Sequence, residues 1–325
     1  MLRIGLVSAG SYGPIYKDPE APRTPGSFHG TAFACTFNGF DADKVAQVYT
    51  ANKYTFAAAG KLIPDCQVVK VWDPLRETAE MLADVCSIPE VTNTPEACCN
   101  DVDAVVIVDD GTAKQYEYAF YPLQHGTPVF CDKPLAMTTK EALTVQKAVQ
   151  ESGAKFMSAS SLRFIPDIVT TKKEVEEGKY GDVWVATSSC GNDLVYYGIH
   201  ALETAYGVFG GGAVSVMNVG QEKRNLARVR FASGRDVVLI VGEQPFMSAG
   251  WQFNLYGSAG WKPMTPDLTD LYTYLLQAFV DYVVDDKQTV PVEEEIEVIA
   301  ALEAGKISLR EGREVTVAEV IANAQ

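Results

Sequence analysis

Asp103-Ala-Val-Val-Ile-Val-Asp-Asp-Gly111, followed after a helical stretch by Thr127-Pro-Val-Phe-Cys-Asp-Lys-Pro134, decides the fold of this chain. An apolar run with no polar face reads as a strand buried on both sides, as in a parallel sheet. A helix and a second buried strand complete a strand-helix-strand unit. Lys133 falls just past the carboxyl end of that second strand, where open α/β sheets hold their ligands. A lysine followed by proline there is a positive charge on a stiff backbone. It suits a nucleotide, or a carbonyl oxygen that develops negative charge.

The same alternation extends outward. Residues 2–7 read as a first buried strand, and Ser8-Ala9-Gly10-Ser11-Tyr12-Gly13 as the loop after it. Residues 14–25, rich in proline and charge, read as an inserted loop. Ser27 is placed to cap a helix running through Thr31–Phe37. A second insertion covers residues 41–65. Strand two is expected at Gln67–Trp72, ending at Asp73, with a helix over Arg76–Val85. After the opening unit come a helix at Lys140–Ser152 and a strand near Phe156. This alternation predicts a doubly wound α/β sheet. Beyond residue 161 the texture changes. Gly181–Ser189, Ala213–Val219, Ala227–Phe231 and Val237–Val241 read as strands of an antiparallel sheet, with helices at Leu268–Val284 and Glu293–Gly305. The expectation is two domains, 1–160 and 161–325, the second α+β with an open, mostly antiparallel sheet.

A chain of 325 residues suits two domains of ordinary size. A net charge of −15 argues against nucleic acid as a partner, since phosphates would be repelled. Seven cysteines at irregular spacings form no C-x-x-C pair. They suggest neither a disulfide framework nor a zinc site, and no metal is expected. No apolar run reaches membrane-spanning length, and the chain opens directly on a strand, so a cytoplasmic protein with no membrane partner is expected.

A dinucleotide fingerprint is G-x-G-x-x-G. Here it reads Ser8-x-Gly10-x-x-Gly13, with Gly10 where the backbone must approach a pyrophosphate. Asp73 ends strand two, where a carboxylate accepts from the ribose hydroxyls of NAD. Its separation from the glycines exceeds the usual ~20 residues, and the two insertions account for that. A carboxylate there would repel a 2′-phosphate, which favours NAD; Arg76 nearby keeps NADP open. The alternative role for Asp73 is a cap for the following helix.

Asp132-Lys133-Pro134 resembles the Glu-Lys-Pro signature of the Gfo/Idh/MocA family, which includes glucose-fructose oxidoreductase and inositol dehydrogenase. Arg163-Phe-Ile-Pro166 resembles that family's Arg-Phe-x-Pro, and Gly26-Ser-Phe-His29 its Gly-x-x-His, a second candidate for the third glycine. Tyr196-x-Gly198-x-His200-x-x-Glu203 resembles its Asp-x-Gly-x-His-x-x-Asp. The resemblance implies an N-terminal Rossmann domain and an NAD(P)-dependent oxidoreductase. Its small-molecule substrate would be a sugar, polyol or keto-sugar derivative, oxidised or reduced at a CH–OH carbon. It also implies a homodimer or homotetramer built on the exposed face of the second sheet. Lys133 and His200 are the catalytic candidates: a cation for the oxygen and an imidazole to move its proton. The expected cofactor-binding set is Ser8, Gly10, Ser11, Tyr12, Asp73, Asp109, Asp132 and Lys133. The expected substrate-binding set is Arg163, Asn192, Asp193, Tyr196 and Tyr197. Tyrosine at 196 departs from the family's aspartate. Two other functions therefore stay open: an NAD-retaining lyase or glycoside-cleaving enzyme that oxidises transiently, and a catalytically silent nucleotide-binding protein.

Overall fold

The computed structural model describes residues 1–49, 60–248, 250–287 and 289–325. The chain divides into two compact units. The first comprises Met1–Ala136, Thr144–Ser158 and Thr269–Pro291; the second comprises Met137–Leu143, Ala159–Leu268 and Val292–Gln325.

In chain order the first stretch carries β1 (Leu2–Val7), β2 (Ser11–Tyr12), β3 (Thr24–Pro25), α1 (Phe28–Asn38), α2 (Ala42–Val48), β4 (Cys66–Trp72) and α3 (Arg76–Cys86). Then come β5 (Glu90–Val91), α4 (Pro95–Cys99), β6 (Ala104–Ile107), α5 (Tyr116–Gln124), β7 (Val129–Cys131), α6 (Thr139–Ser152) and β8 (Phe156–Met157). A six-stranded sheet runs β5-β4-β1-β6-β7-β8, with every pairing parallel. The order reverses direction between β1 and β6, so the loops after those two strands open a crevice at their carboxyl ends. All four residues of β6 are fully buried, as the unbroken apolar run requires. This is the doubly wound sheet expected from the sequence.

The first insertion is more ordered than its composition suggests. Ser11–Tyr12 pairs antiparallel with Thr24–Pro25, and Gly26 N–H donates to Gly10 O. The second insertion carries α2; its residues 50–59 lie outside the described residues.

The second stretch holds a single 3₁₀ turn (Ser161–Phe164), α7 (Pro166–Glu176), β9 (Val183–Gly191), α8 (Gly198–Phe209), β10 (Ala213–Asn218), β11 (Arg224–Phe231), β12 (Asp236–Gly242), β13 (Gln252–Gly257) and β14 (Gly260–Met264). It ends with α9 (Leu271–Asp285), α10 (Val292–Glu311), β15 (Val315–Thr316) and α11 (Val317–Ala324). A seven-stranded sheet runs β14-β13-β9-β12-β11-β10-β15. It is antiparallel except that β12 pairs parallel to β9. The expected four strands are thus joined by β13, β14 and β15, which sequence reading did not anticipate. Pro263 lies in β14, at the sheet edge where a missing N–H is tolerated, and it hides the strand pattern. Helices α8 and α10 lie against this sheet, while Trp184, Leu226, Ile240, Tyr256 and Trp261 are exposed.

Helix α9 packs into the first unit although it follows the second sheet in sequence. Phe279 on α9 meets Phe130 of β7 with centroids 5.7 Å apart, and Phe130 meets Phe33 of α1 at 5.9 Å. No helix among the described residues is long and apolar enough to cross a membrane.

Candidate functional site

The crevice of the first unit is built by the loops after β1 and β6. Ser8 adopts a left-handed backbone at φ 56°, supplying the sharp turn usually left to the first glycine. Its N–H donates to Trp72 O and its carbonyl accepts from Asp109 N–H. Gly10 has no room for a side chain: a Cβ would lie 2.7 Å from the carbonyl carbon of Thr78. At Gly13 a Cβ would meet only the side chains of Arg23 and Ile15, 3.1 Å away at the nearest. Gly30, in the first turn of α1, approaches the β1 loop so closely that a Cβ would sit 2.2 Å from Ala9 O. That is the helix-to-strand contact the third glycine allows.

Four carboxylates line this crevice, and each is held by the chain itself. Asp73 accepts from Gly10 N–H (2.8 Å), Ser11 N–H (2.9 Å), Ser11 Oγ (2.8 Å) and Leu75 N–H (2.9 Å). Those four donors fill the acceptor capacity of a carboxylate, so Asp73 works first as the clasp of the loop. Asp109 accepts from Ser8 Oγ (2.7 Å) and Thr112 Oγ1 and pairs with Arg23 at 2.6 Å. Asp110 accepts from Phe28 N–H (2.6 Å), His29 N–H (3.3 Å) and Ser27 Oγ (3.2 Å) at the start of α1. Asp132 meets His29 Nδ1 at 2.6 Å. Tyr12 packs edge-on against Phe28. Lys133 follows β7 and is only 5% exposed.

In the second unit, Asp193 caps the turn into α8, its carboxylate accepting from Val195 N–H (2.8 Å) and Tyr196 N–H (2.9 Å). Asn192 precedes it with φ 79°, its N–H donating to Gly242 O. Tyr196 and Tyr197 pack together with centroids 5.6 Å apart just before α8. His200 lies in the first turn of α8, with Trp251 edge-on at 5.0 Å and Tyr197 at 6.0 Å. Its Nδ1 is 2.6 Å from Ser160 Oγ. Ser160 N–H donates to Glu203 Oε2 at 2.9 Å.

Behind Ser160 lies a buried charge cluster. Arg163 binds Glu203 and Glu294 closely and Glu295 at 3.5 Å. Burial works against the guanidinium charge, but the three glutamates outweigh it and hold Arg163 above its usual range. Burial and the neighbouring Glu203 push the Glu295 carboxyl well above the ordinary carboxylate range. Glu203 Oε1 and Glu295 Oε2 are buried without a hydrogen-bond partner among the described residues. Arg163 was expected among substrate contacts; its fork is engaged by these carboxylates, all in its own unit.

Residues 26–160 match the model of an oxidoreductase family with an NAD-binding Rossmann fold. This stretch belongs to the Gfo/Idh/MocA family. The Gfo/Idh/MocA segment covers most of the first sheet, including Lys133. Curated relatives include scyllo-inositol 2-dehydrogenase (NAD(+)) of Bacillus subtilis, 27% identical over 37% of this chain and 35% of the relative. D-glucoside 3-dehydrogenase of Escherichia coli is 27% identical over 47% of this chain and 50% of the relative. The chain thus matches between about a third and a half of the length of these relatives. The myo-inositol 2-dehydrogenase structure from Lactobacillus plantarum superposes with a TM-score of 0.75, at 16% identity, covering 97% of this chain and 99% of that one. GenD2 from gentamicin A biosynthesis, in complex with NAD, gives 0.73 at 17% identity, covering 97% and 96%. At these identities the likeness establishes the shared fold over nearly the whole chain.

A dinucleotide fits the backbone of this crevice. Gly10 and Gly30 let the β1 loop pack against Thr78 and α1 pack against Ala9, and the Gly10–Tyr12 loop and the start of α1 would face its phosphates. Sequence reading missed Gly30, Arg23, Asp110 and Ser160. Gly30 lies outside the motif spacing because the insertion interrupts it. Arg23 and Asp110 reach the crevice only through loop geometry, and Ser160 meets His200 only by folding. All seven cysteines are buried and outside any disulfide.

Proposed function

We propose that this protein is an NAD(P)-dependent oxidoreductase acting on a CH–OH group of a sugar, polyol or keto-sugar derivative. The observation that carries the reading is the match of residues 26–160 to an NAD-binding oxidoreductase family, on a sheet whose switch-point loop is Ser8–Gly13. The nicotinamide, when bound, supplies hydride chemistry. Lys133 holds the substrate oxygen and stabilises negative charge on it. His200 takes or gives the hydroxyl proton, and Ser160 at its Nδ1 sets which ring nitrogen carries the hydrogen. Asn192, Asp193, Tyr196 and Tyr197 shape the substrate pocket, with Arg163 supporting them from behind. In this reading residues 1–160 serve the cofactor and 161–325 the substrate. The exposed apolar residues of the second sheet, Trp184 and Trp261 among them, support a homodimer or homotetramer. Seven free thiols suit the reducing cytoplasm.

The test is direct. Purified protein is assayed for bound NAD(H), then offered NAD and NADP with a panel of inositols and glucosides while reduced cofactor is followed by absorbance. Net reduced cofactor with a free polyol is the expected result. Bound NAD with no net turnover would instead favour the lyase reading, and no nucleotide at all would refute both.

A further inference from the structure

Asp110 stands where an anionic ligand is needed. Three donors at the start of α1 converge on one of its oxygens: Phe28 N–H at 2.6 Å, Ser27 Oγ at 3.2 Å and His29 N–H at 3.3 Å. The amino end of an eleven-residue helix attracts an anion by its dipole and by N–H groups that make no bond within the helix. In a doubly wound sheet that end faces the pyrophosphate. A carboxylate and a phosphate would seek the same donors and repel each other across them.

The other acids of the crevice differ from Asp110. Asp73 clasps the β1 loop, Asp109 pairs with Arg23, and Asp132 meets His29. Each of these roles leaves the start of α1 open. Asp110 alone, among the described carboxylates, takes the N–H groups of the first helical turn of α1. It sits on a short loop that carries three left-handed residues, Asp109 (φ 42°), Gly111 (φ 82°) and Ala113 (φ 55°). Two of them are not glycine, so the loop holds backbone strain that a rearrangement would release.

We infer that Asp110 is an internal anion that caps α1 in the absence of ligand and competes with a dinucleotide phosphate for the same donors, so that cofactor entry requires this side chain to leave. The inference rests on the nucleotide reading above and adds to it a built-in limit on cofactor affinity. Phosphate-bearing ligands feel the limit, and a phosphate-free nucleoside does not.

Calorimetric titration of the full chain with NAD, ADP and adenosine tests it, using wild type, Asp110→Asn and Asp110→Ala. Asp110→Asn keeps an oxygen to cap the helix and removes the charge, so its melting temperature should stay near wild type even if Asp110→Ala folds poorly. NAD and ADP should bind the Asn variant about three- to thirty-fold more tightly, the range of a single charge at a helix terminus. Adenosine should be unaffected. Binding of NAD to the variant where wild type shows none would support the inference equally. Equal or weaker NAD binding by a stably folded Asn variant, with wild type binding normally, would overturn it alone. Failure of wild type and variants alike to bind NAD or ADP would overturn the nucleotide reading and this inference together.

Discussion

The loop end of the first sheet and the surroundings of His200 treat negative charge in opposite ways. In the first unit, Asp73, Asp109, Asp110 and Asp132 lie at the crevice itself, held by backbone N–H groups, hydroxyls, Arg23 and His29. Around His200 lie the Ser160 hydroxyl and the rings of Tyr197 and Trp251. The carboxylates there sit one layer back, where Glu203 accepts from Ser160 N–H and shares Arg163 with Glu294 and Glu295. The contrast teaches that the two ends answer different demands. A loop that must hold many amides in one direction uses carboxylates as clasps. At His200 a hydroxyl meets the imidazole, and the Arg163 cluster holds the backbone of that serine through Glu203.

The strongest test of the contrast is at His200. His200→Asn should lower turnover about 10²–10⁴-fold, the usual share of general acid–base catalysis, with NAD affinity unchanged by calorimetry. Full activity in that variant would move the proton-transfer role elsewhere and break the comparison. Next in size is the support layer. Arg163→Met leaves Glu203 and Glu295 buried without their cation, so urea unfolding should show a loss of about 3–5 kcal/mol. A loss below about 1 kcal/mol would mean that the cluster is not what stiffens this region.

At the other end, Asp73→Ser removes the acceptor of four donors. Stability should fall by roughly 1.5–3 kcal/mol, the range for hydrogen bonds to a charged group, and NAD should weaken more than NADP. A shift in cofactor preference with no change in the urea midpoint would show that Asp73 serves the ribose and not the loop. The smallest effect is expected from Ser160→Ala. Loss of one hydrogen bond of about 1 kcal/mol should lower turnover about five-fold. The discriminating readout is the imidazole nitrogen shifts of His200 by NMR, tractable in a chain with three histidines. Those shifts should report a changed tautomer balance; unchanged shifts would make Ser160 a packing residue only.

Much of the first sheet was readable in advance because its strands are short apolar runs between amphipathic helices. Ala104–Ile107 and Val129–Cys131 appear where the pattern puts them. The seven-stranded sheet was readable in part. Its central strands alternate, but β15 is two residues long and β14 contains a proline, so neither has a usable period. Lys133 was read from its place beside a buried strand and His200 from a helix-start motif, and the structure has Lys133 just after β7 and His200 in the first turn of α8. Ser160 was not read, because a serine after a strand has the same local pattern whether it faces solvent or an imidazole.

Local pattern alone determined that this chain contains a doubly wound sheet, that Ser8–Gly13 is its crevice loop, and that Lys133 ends a central strand. These follow from periodicity and turn chemistry, which act between residues close in sequence. The tertiary structure alone decided three further matters. It returned Leu271–Asp285 to the core of the first unit through Phe279. It set Ser160 against His200 across forty residues of chain. It brought Asp110 to the start of α1 from eighty-two residues away in sequence. Each depends on contacts whose partners are chosen by packing, and packing leaves no period in the sequence to read.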